Sequence, residues 1–221
     1  MALLPPGVAP DVETRLRSLA RYVEAAAGDA PLDYLKQDKI VFVASGATKL
    51  VARASLDREQ IVAFHFAGDL VSLPAGGRHS YSLVALQPSE FLAFLAPDFL
   101  ASTEQERGMA NEVLRRSLLS LSRCREKTII LGRKTAQERL ASFLTTMADR
   151  IGKPVGTKCV LELPMSRRDI ADSLGLTIET VSRQFTILRE EKLLETSGRS
   201  VVTLINTAAL EDRAGHLPVA A

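Results

Sequence analysis

Apolar positions along the 221-residue chain change their spacing three times. From about Tyr34 to Leu95 they fall in strand-length runs: Ile40-Val41-Phe42-Val43, Ile61-Val62-Ala63-Phe64, Ser82-Leu83-Val84-Ala85-Leu86 and Phe91-Leu92-Ala93-Phe94-Leu95. Turn chemistry separates the runs at Ser45-Gly46, Gly68-Asp69, Pro74-Ala75-Gly76-Gly77 and Gln87-Pro88. Short strands at this spacing predict a sandwich or barrel. From Ser102 to Leu131 there is no proline and the period becomes helical, with Ser102-Thr103-Glu104-Gln105 as an expected capping box. Gly132 is the expected break, followed by an amphipathic helix from Thr135 to Arg150 that Ile151 to Gly156 closes. Leu161 to Leu210 holds two short helical patterns and a terminal β-pair. The first thirty residues are Ala-rich and expected to be helical in part, and those after Glu211 loose.

Within the long helical stretch, Ala110, Leu114, Ser117, Leu121, Cys124, Thr128 and Leu131 alternate spacings of four and three, a heptad seam suited to a second copy of the chain. A seam through Leu118 and Arg125 is the alternative, and it would set two arginines against each other across a two-fold axis. The first seam leaves Val113, Leu118 and Leu119 for the β-rich region. Cys124 lies in it, either as a small buried hydrophobe or as the site of a disulfide between subunits under oxidation.

The densest information lies between Met165 and Leu188. Ser166 is placed to cap a first helix, with Asp169 completing the box and Ile170, Ala171 and Leu174 on its buried side. Gly175 stops that helix and Thr177 is the next N-cap. Val181, Phe185 and Leu188 recur at helical spacing and must face inward, which turns Glu179, Ser182, Arg183 and Thr186 outward. Two short helices joined by a Gly-containing turn, the second presenting polar residues at its start, form a helix-turn-helix. Arg183 has the planar fork for guanine O6 and N7, Glu179 can accept from a cytosine amine and hold that fork in plane, and Ser182 can meet a thymine methyl. Ser166, Arg167, Thr177 and Thr180 stand at helix starts, where amides and hydroxyls suit phosphate oxygens. Lys192 to Leu204 reads as strand, Ser-Gly turn and strand, a wing that brings Arg199 near the DNA backbone.

Bulk charge does not announce this partner. The net charge is +2, and from Arg150 onward ten Lys and Arg face nine Asp and Glu. Affinity must come from placement on one face. The two cysteines, Cys124 and Cys159, are far apart with neither CxxC nor CxxH spacing, which argues against a zinc site and for a reducing compartment. With no basic leader and no spanning apolar run, the expected location is the cytoplasm, away from membranes. No Ser/His/Asp set, metal-ligand spacing or phosphate loop points to an enzyme, and no metal or cofactor is expected.

Thr177-Ile178-Glu179-Thr180-Val181-Ser182-Arg183, preceded by Met165-Ser166-Arg167-Arg168-Asp169-Ile170-Ala171 and by the segment from Gly132 to Leu144, resembles the Crp/Fnr family of bacterial regulators, above all its Fnr- and FixK-like branches. The match is specific from Gly132 to the wing and looser back to Ile40. The resemblance implies an α+β chain: a β jelly-roll of cyclic-nucleotide-binding type at 1–101, a dimerisation helix at 102–131, and a winged helix-turn-helix at 132–221. It implies a transcription activator whose partners are double-stranded DNA, a second copy of itself and RNA polymerase. Glu179, Ser182 and Arg183 would read TTGAT and ATCAA half-sites about four bases apart, with their centres about 34 Å apart along the duplex.

The departures from the family bear on sensing. No cysteine precedes Cys124, so the N-terminal ligands of an iron–sulfur cluster are missing. The Gly-Glu and Arg-Ser pairs of cyclic-AMP binders fall on Ser72-Leu73 and His79-Ser80, which removes the strongest partners of a cyclic phosphate. Arg78 could restore one of them by a register shift. His65 and His79 are lone histidines, expected as surface or satisfied core residues rather than haem ligands. The expectation is a regulator without cyclic AMP or iron–sulfur cluster. The alternatives are a ligand- or redox-gated member of the same family, or a cyclic-nucleotide-binding signalling module.

Overall fold

In a strand covered on both faces, every residue needs an apolar side chain, because alternate positions meet different layers. Ile40 to Val43 and Phe91 to Leu95 are such stretches. In the computed structural model, which describes residues 3–4, 8–33, 37–55, 58–104 and 106–215, they belong to β2 (Lys39–Ser45) and β7 (Ser89–Leu95). These two strands pair antiparallel, Ile40 opposite Phe94 and Phe42 opposite Leu92. β1 (Arg21–Ala25) and β5 (Leu70–Leu73) flank them in the order β1-β7-β2-β5. A second sheet has the order β4-β3-β6, from β3 (Ala47–Ser55), β4 (Arg58–Phe66) and β6 (Ser80–Ala85). Between the sheets lie Val41, Val43, Val71, Leu73, Leu83, Ala85, Phe91 and Ala93. The opposite face of the first sheet puts Phe42 and Phe94 against Val12 and Leu16 of α1 (Pro10–Leu19), Phe99 of α2 (Ala96–Glu104) and Met109 of α3 (Arg107–Arg133).

The β2–β3 turn requires glycine. Gly46 has φ +87°, and a Cβ there would come 2.6 Å from the Pro88 carbonyl oxygen.

Several expectations change here. The first thirty residues are helical in part, as α1, but 21–25 form a strand, and neither it nor β3 and β5 is foreseen in the sequence. Ser102 and Thr103 sit in the last turn of α2, where their hydroxyls donate to the carbonyls of Asp98 and Leu100, so they cap nothing. Gln105 of the expected box lies outside the described residues. The long helix begins at Arg107 and is capped by Glu106, whose carboxylate accepts from the Met109 N–H at 2.6 Å. It runs through Gly132 to Arg133.

One face of α3 meets its own β-domain. Met109 is buried and Val113 packs on the core. Arg116 lies over the Phe42 ring, donates to the Gly68 carbonyl and bonds Glu112 at 2.6 Å, and Arg123 reaches Asp69 at 3.3 Å. Leu118 and Leu119 do not pack there and are 57% and 44% exposed. At about 100° per residue, Leu118 lies opposite Arg116. The exposed stripe therefore runs through Leu114, Leu118, Leu121, Arg125 and Thr128, the alternative seam, with Ser117 and Cys124 along its border. Leu131 is half-buried beside Gly175.

The chain divides into two compact units, Met1–Arg123 and Cys124–Ala221. The second is organised around α4 (Ala136–Ile151), which buries Leu140, Ala141, Phe143, Leu144 and Met147. Its sheet has the order β10-β11-β9-β8, from β8 (Lys153–Val155), β9 (Lys158–Glu162), β10 (Leu194–Ser197) and β11 (Val201–Leu204). The β8–β9 hairpin was expected only as a closing loop, and α7 (Thr207–Arg213) fills a segment expected to be partly loose. His216 lies outside the described residues.

Candidate DNA interface

Four helix starts in the C-terminal unit are fixed by their own side chains, the Asn206 cap of α7 among them. The Thr135 hydroxyl accepts from the Glu138 N–H, and Glu138 returns a carboxylate oxygen to the Thr135 N–H at 2.7 Å. Ser166 and Asp169 repeat the exchange at the start of α5 (Arg167–Leu174), at 3.1 Å and 2.9 Å. The Ser166 hydroxyl also donates to Asp169, at 2.6 Å. Such boxes satisfy amides that a helix start leaves unpaired. Gly175, at φ 61° and ψ 40°, ends α5 in the left-handed region and turns the chain into α6 (Ile178–Glu190). Thr177 caps α6 by accepting from the Thr180 N–H at 3.2 Å.

α6 has the two faces its sequence demands. Val181, Phe185 and Leu188 are buried, and Gln184 with them. Glu179, Ser182 and Arg183 are exposed together on the outer side. The Glu179 carboxylate accepts from its own N–H and from the Thr177 hydroxyl, which holds it below the usual carboxylate range and keeps it an ionised acceptor. The expected clamp of Glu179 on Arg183 is not formed. Arg183 makes no ion pair among the described residues and is exposed.

The residues assigned to phosphate are arranged unevenly. Thr177 and Thr180 lie together at the start of α6, their hydroxyl oxygens 3.1 Å apart. Arg199 is exposed in the turn between β10 and β11, where Ser197 pairs with Val201. Ser166 has both its N–H and its hydroxyl engaged with Asp169. Arg167 is half-buried, its guanidinium 3.3 Å from the centre of the Phe185 ring. Its Nη1 is buried without a hydrogen-bond partner among the described residues. Burial, helped by the nearby Arg189 charge, lowers its pKa to about 10, still charged at neutral pH.

Sequence reasoning missed the Arg167–Phe185 stack and the role of Arg139. The Arg139 guanidinium reaches the carbonyls of Leu131, Lys134 and Leu174. The only sequence signal for it is an arginine one residue past a capping box and next to a core leucine.

A helix-turn-helix with a β-wing, an outward polar face on the second helix and hydroxyls at the helix starts defines a DNA-binding regulator. The Crp-like helix-turn-helix domain matches residues 138–213. The nitrogen fixation regulation protein FixK of Rhizobium meliloti (strain 1021) is 36% identical over 173 residues, covering 78% of this chain and 77% of that protein. The transcriptional activatory protein AadR of Rhodopseudomonas palustris is 35% identical over 157 residues, covering 71% and 66%. The solved structure of FixK2 from Bradyrhizobium japonicum superposes with a TM-score of 0.76 at 29% identity, over 90% of this chain and 99% of that one. The chain belongs to the Crp/Fnr family of transcription regulators, in its FixK-like branch. Its relatives are transcription factors rather than enzymes.

Proposed function

We propose that the protein is a homodimeric transcription activator that binds a TTGA-type palindrome through α6, without cyclic nucleotide or iron–sulfur cluster. One observation carries this: α6 buries Val181, Phe185 and Leu188 while Glu179, Ser182 and Arg183 are exposed together on its outer side. Arg183 forks onto guanine O6 and N7, Glu179 accepts from the cytosine amine, and Ser182 lies against a thymine methyl. Thr177 and Thr180 at α6, the α5 start at Ser166 and Arg167, and Arg199 on the wing hold the phosphates; at α5 the N–H of Arg167 serves, and Ser166, whose N–H and hydroxyl are both engaged with Asp169, shapes that start. Activation accords with what AadR is named for, a transcriptional activatory protein. The protein acts in the cytoplasm with RNA polymerase.

Ligand independence is supported by the filling between the β-sheets. Leu73, where a cyclic-nucleotide carboxylate would fall, is 4% exposed within the apolar core, and His79 and Ser80 face solvent. Dimerisation uses the exposed stripe of α3 through Leu114, Leu118, Leu121 and Thr128, with Ser117 and Cys124 bordering it; Arg125 also lies in this stripe, and its long stem lets the charged end turn to solvent beside the axis. Leu131 serves its own subunit. The functional parts are 1–101, 102–131 and 132–221, with the first boundary inside α2 and the second inside α3.

Equilibrium titration of a TTGAT–ATCAA duplex and a scrambled duplex, across a salt series and with or without cyclic AMP, tests the proposal. The expected result is at least about 10³-fold preference for the palindrome, steep salt dependence and no response to cyclic AMP. Equal binding of both duplexes would remove base reading, and a tightening by cyclic AMP would remove ligand independence.

A further inference from the structure

One guanidinium in the C-terminal unit joins helix ends that are distant in the chain. Arg139, just after the Thr135–Glu138 box in α4, donates from Nε to the Lys134 carbonyl at 2.9 Å. Its Nη2 donates to the Leu131 carbonyl at 2.8 Å, and its Nη1 to the Leu174 carbonyl at 3.0 Å. Leu131 is in the last turn of α3, and Leu174 is the last residue of α5. Carbonyls at such positions have no intrahelical N–H to accept from. The partner of the Leu131 carbonyl would have been the Thr135 N–H, and that is taken by Glu138. The turn of the helix-turn-helix passes beside the same group: a Cβ on Gly175 would lie 3.6 Å from Arg139 Nη1 and 3.8 Å from Leu131 Cδ2.

We propose that Arg139 is a positioning residue: it locks the end of α3 to the turn between α5 and α6, and so sets the half-site separation that a dimer accepts. The inference rests on the dimeric, palindrome-binding function proposed above. A planar fork reaches three carbonyls in fixed directions at once, which neither an ammonium nor a set of waters does. The contacts that shape α6 itself are separate, being the Thr177 cap and the packing of Val181, Phe185 and Leu188. Loss of the fork therefore leaves a competent half-site reader on a looser joint. Several separations become nearly equivalent, and none is bound as well as the best one was.

The test compares the wild-type protein with Arg139→Gln and Arg139→Lys. Each is titrated with a duplex carrying one TTGAT half-site and with palindromes whose spacers run from about two to six bases. The expected result is a half-site affinity within about twofold of wild type for both variants, together with a sharp wild-type spacer optimum. Arg139→Gln flattens that optimum by about tenfold, and Arg139→Lys falls between. A wild-type spacer profile in Arg139→Gln overturns the proposal. Loss of half-site binding together with cooperative unfolding in Arg139→Gln also overturns it, by making the residue merely structural. A wild-type protein indifferent to spacer fails at the palindrome reading itself, whatever the variants do.

Discussion

In the N-terminal unit, strands such as β2 and β7 are apolar at nearly every position, because one face meets the opposing sheet and the other meets α1, α2 and α3. In the C-terminal unit, α5 and α6 are apolar on one side only, and the rest of each helix is given to caps, a turn and outward polar groups. The contrast shows where chemistry can reside. A doubly covered strand has no side chain left to present, whereas a half-covered helix has a whole face. The interior between the β-sheets is filled with Val, Leu, Ala and Phe, while the outer face of α6 holds an unpaired guanidinium and a carboxylate.

The largest expected effect breaks the inner half of that contrast. Phe185→Ala removes a buried ring and the support under Arg167, at a cost of about 3–5 kcal/mol. Chemical denaturation should show this in the C-terminal unit, and DNA binding should fall with it. An unchanged midpoint would mean that α6 does not anchor its domain.

The next effect concerns α3. Leu118→Glu places a charge in the exposed stripe, and sedimentation should show dissociation favoured by at least about tenfold. Ser117→Glu, at the border, should act more weakly. If Ser117→Glu dissociates the dimer and Leu118→Glu does not, the seam is instead the one centred on Ser117 and Cys124.

Ser166→Ala comes third. It removes the cap of α5 and should cost about 1 kcal/mol of stability. Guanine preference should remain, since Arg183 is on another helix. Loss of that preference would show that the box shapes the reading head.

The smallest effect is an acid transition in the N-terminal unit. Hydrogen bonds from Arg115 and then Arg116 lower the Glu112 pKa from 4.5 to about 2. A depressed carboxylate contributes stability that is fully present above its unfolded value and lost as pH falls. Unfolding free energy should therefore decline from about pH 4.5 toward pH 2, and Glu112→Gln should flatten that slope. An identical acid slope in the variant would remove Glu112 as its cause.

What the sequence made legible was whatever is settled within a few residues. The Ser166–Asp169 and Thr135–Glu138 boxes, the Gly175 turn and the inward triad of α6 depend on neighbours three or four positions away. The Ser102 box failed for a related reason. The same hydroxyls can bond backward into a preceding helix, and α2 supplied the carbonyls. β1 and β3 escaped notice because their exposed faces carry Arg21, Tyr22, Glu24 and Arg53, which blur the apolar signal. Leu118 and Leu119 were misplaced because periodicity gives the width of a helix face but not its partner. Arg139 was out of reach, since its partner Leu174 stands 35 residues away and only tertiary structure brings them together.

The most direct test is a single-base substitution scan. Binding free energies of wild type and Arg183→Ala are measured on the palindrome with each half-site position changed in turn. Arg183→Ala should abolish discrimination at the guanine, about 1–3 kcal/mol, and leave the other positions as they were. Uniform weakening at every position, with guanine preference intact, would place Arg183 on the phosphates and contradict base reading by α6.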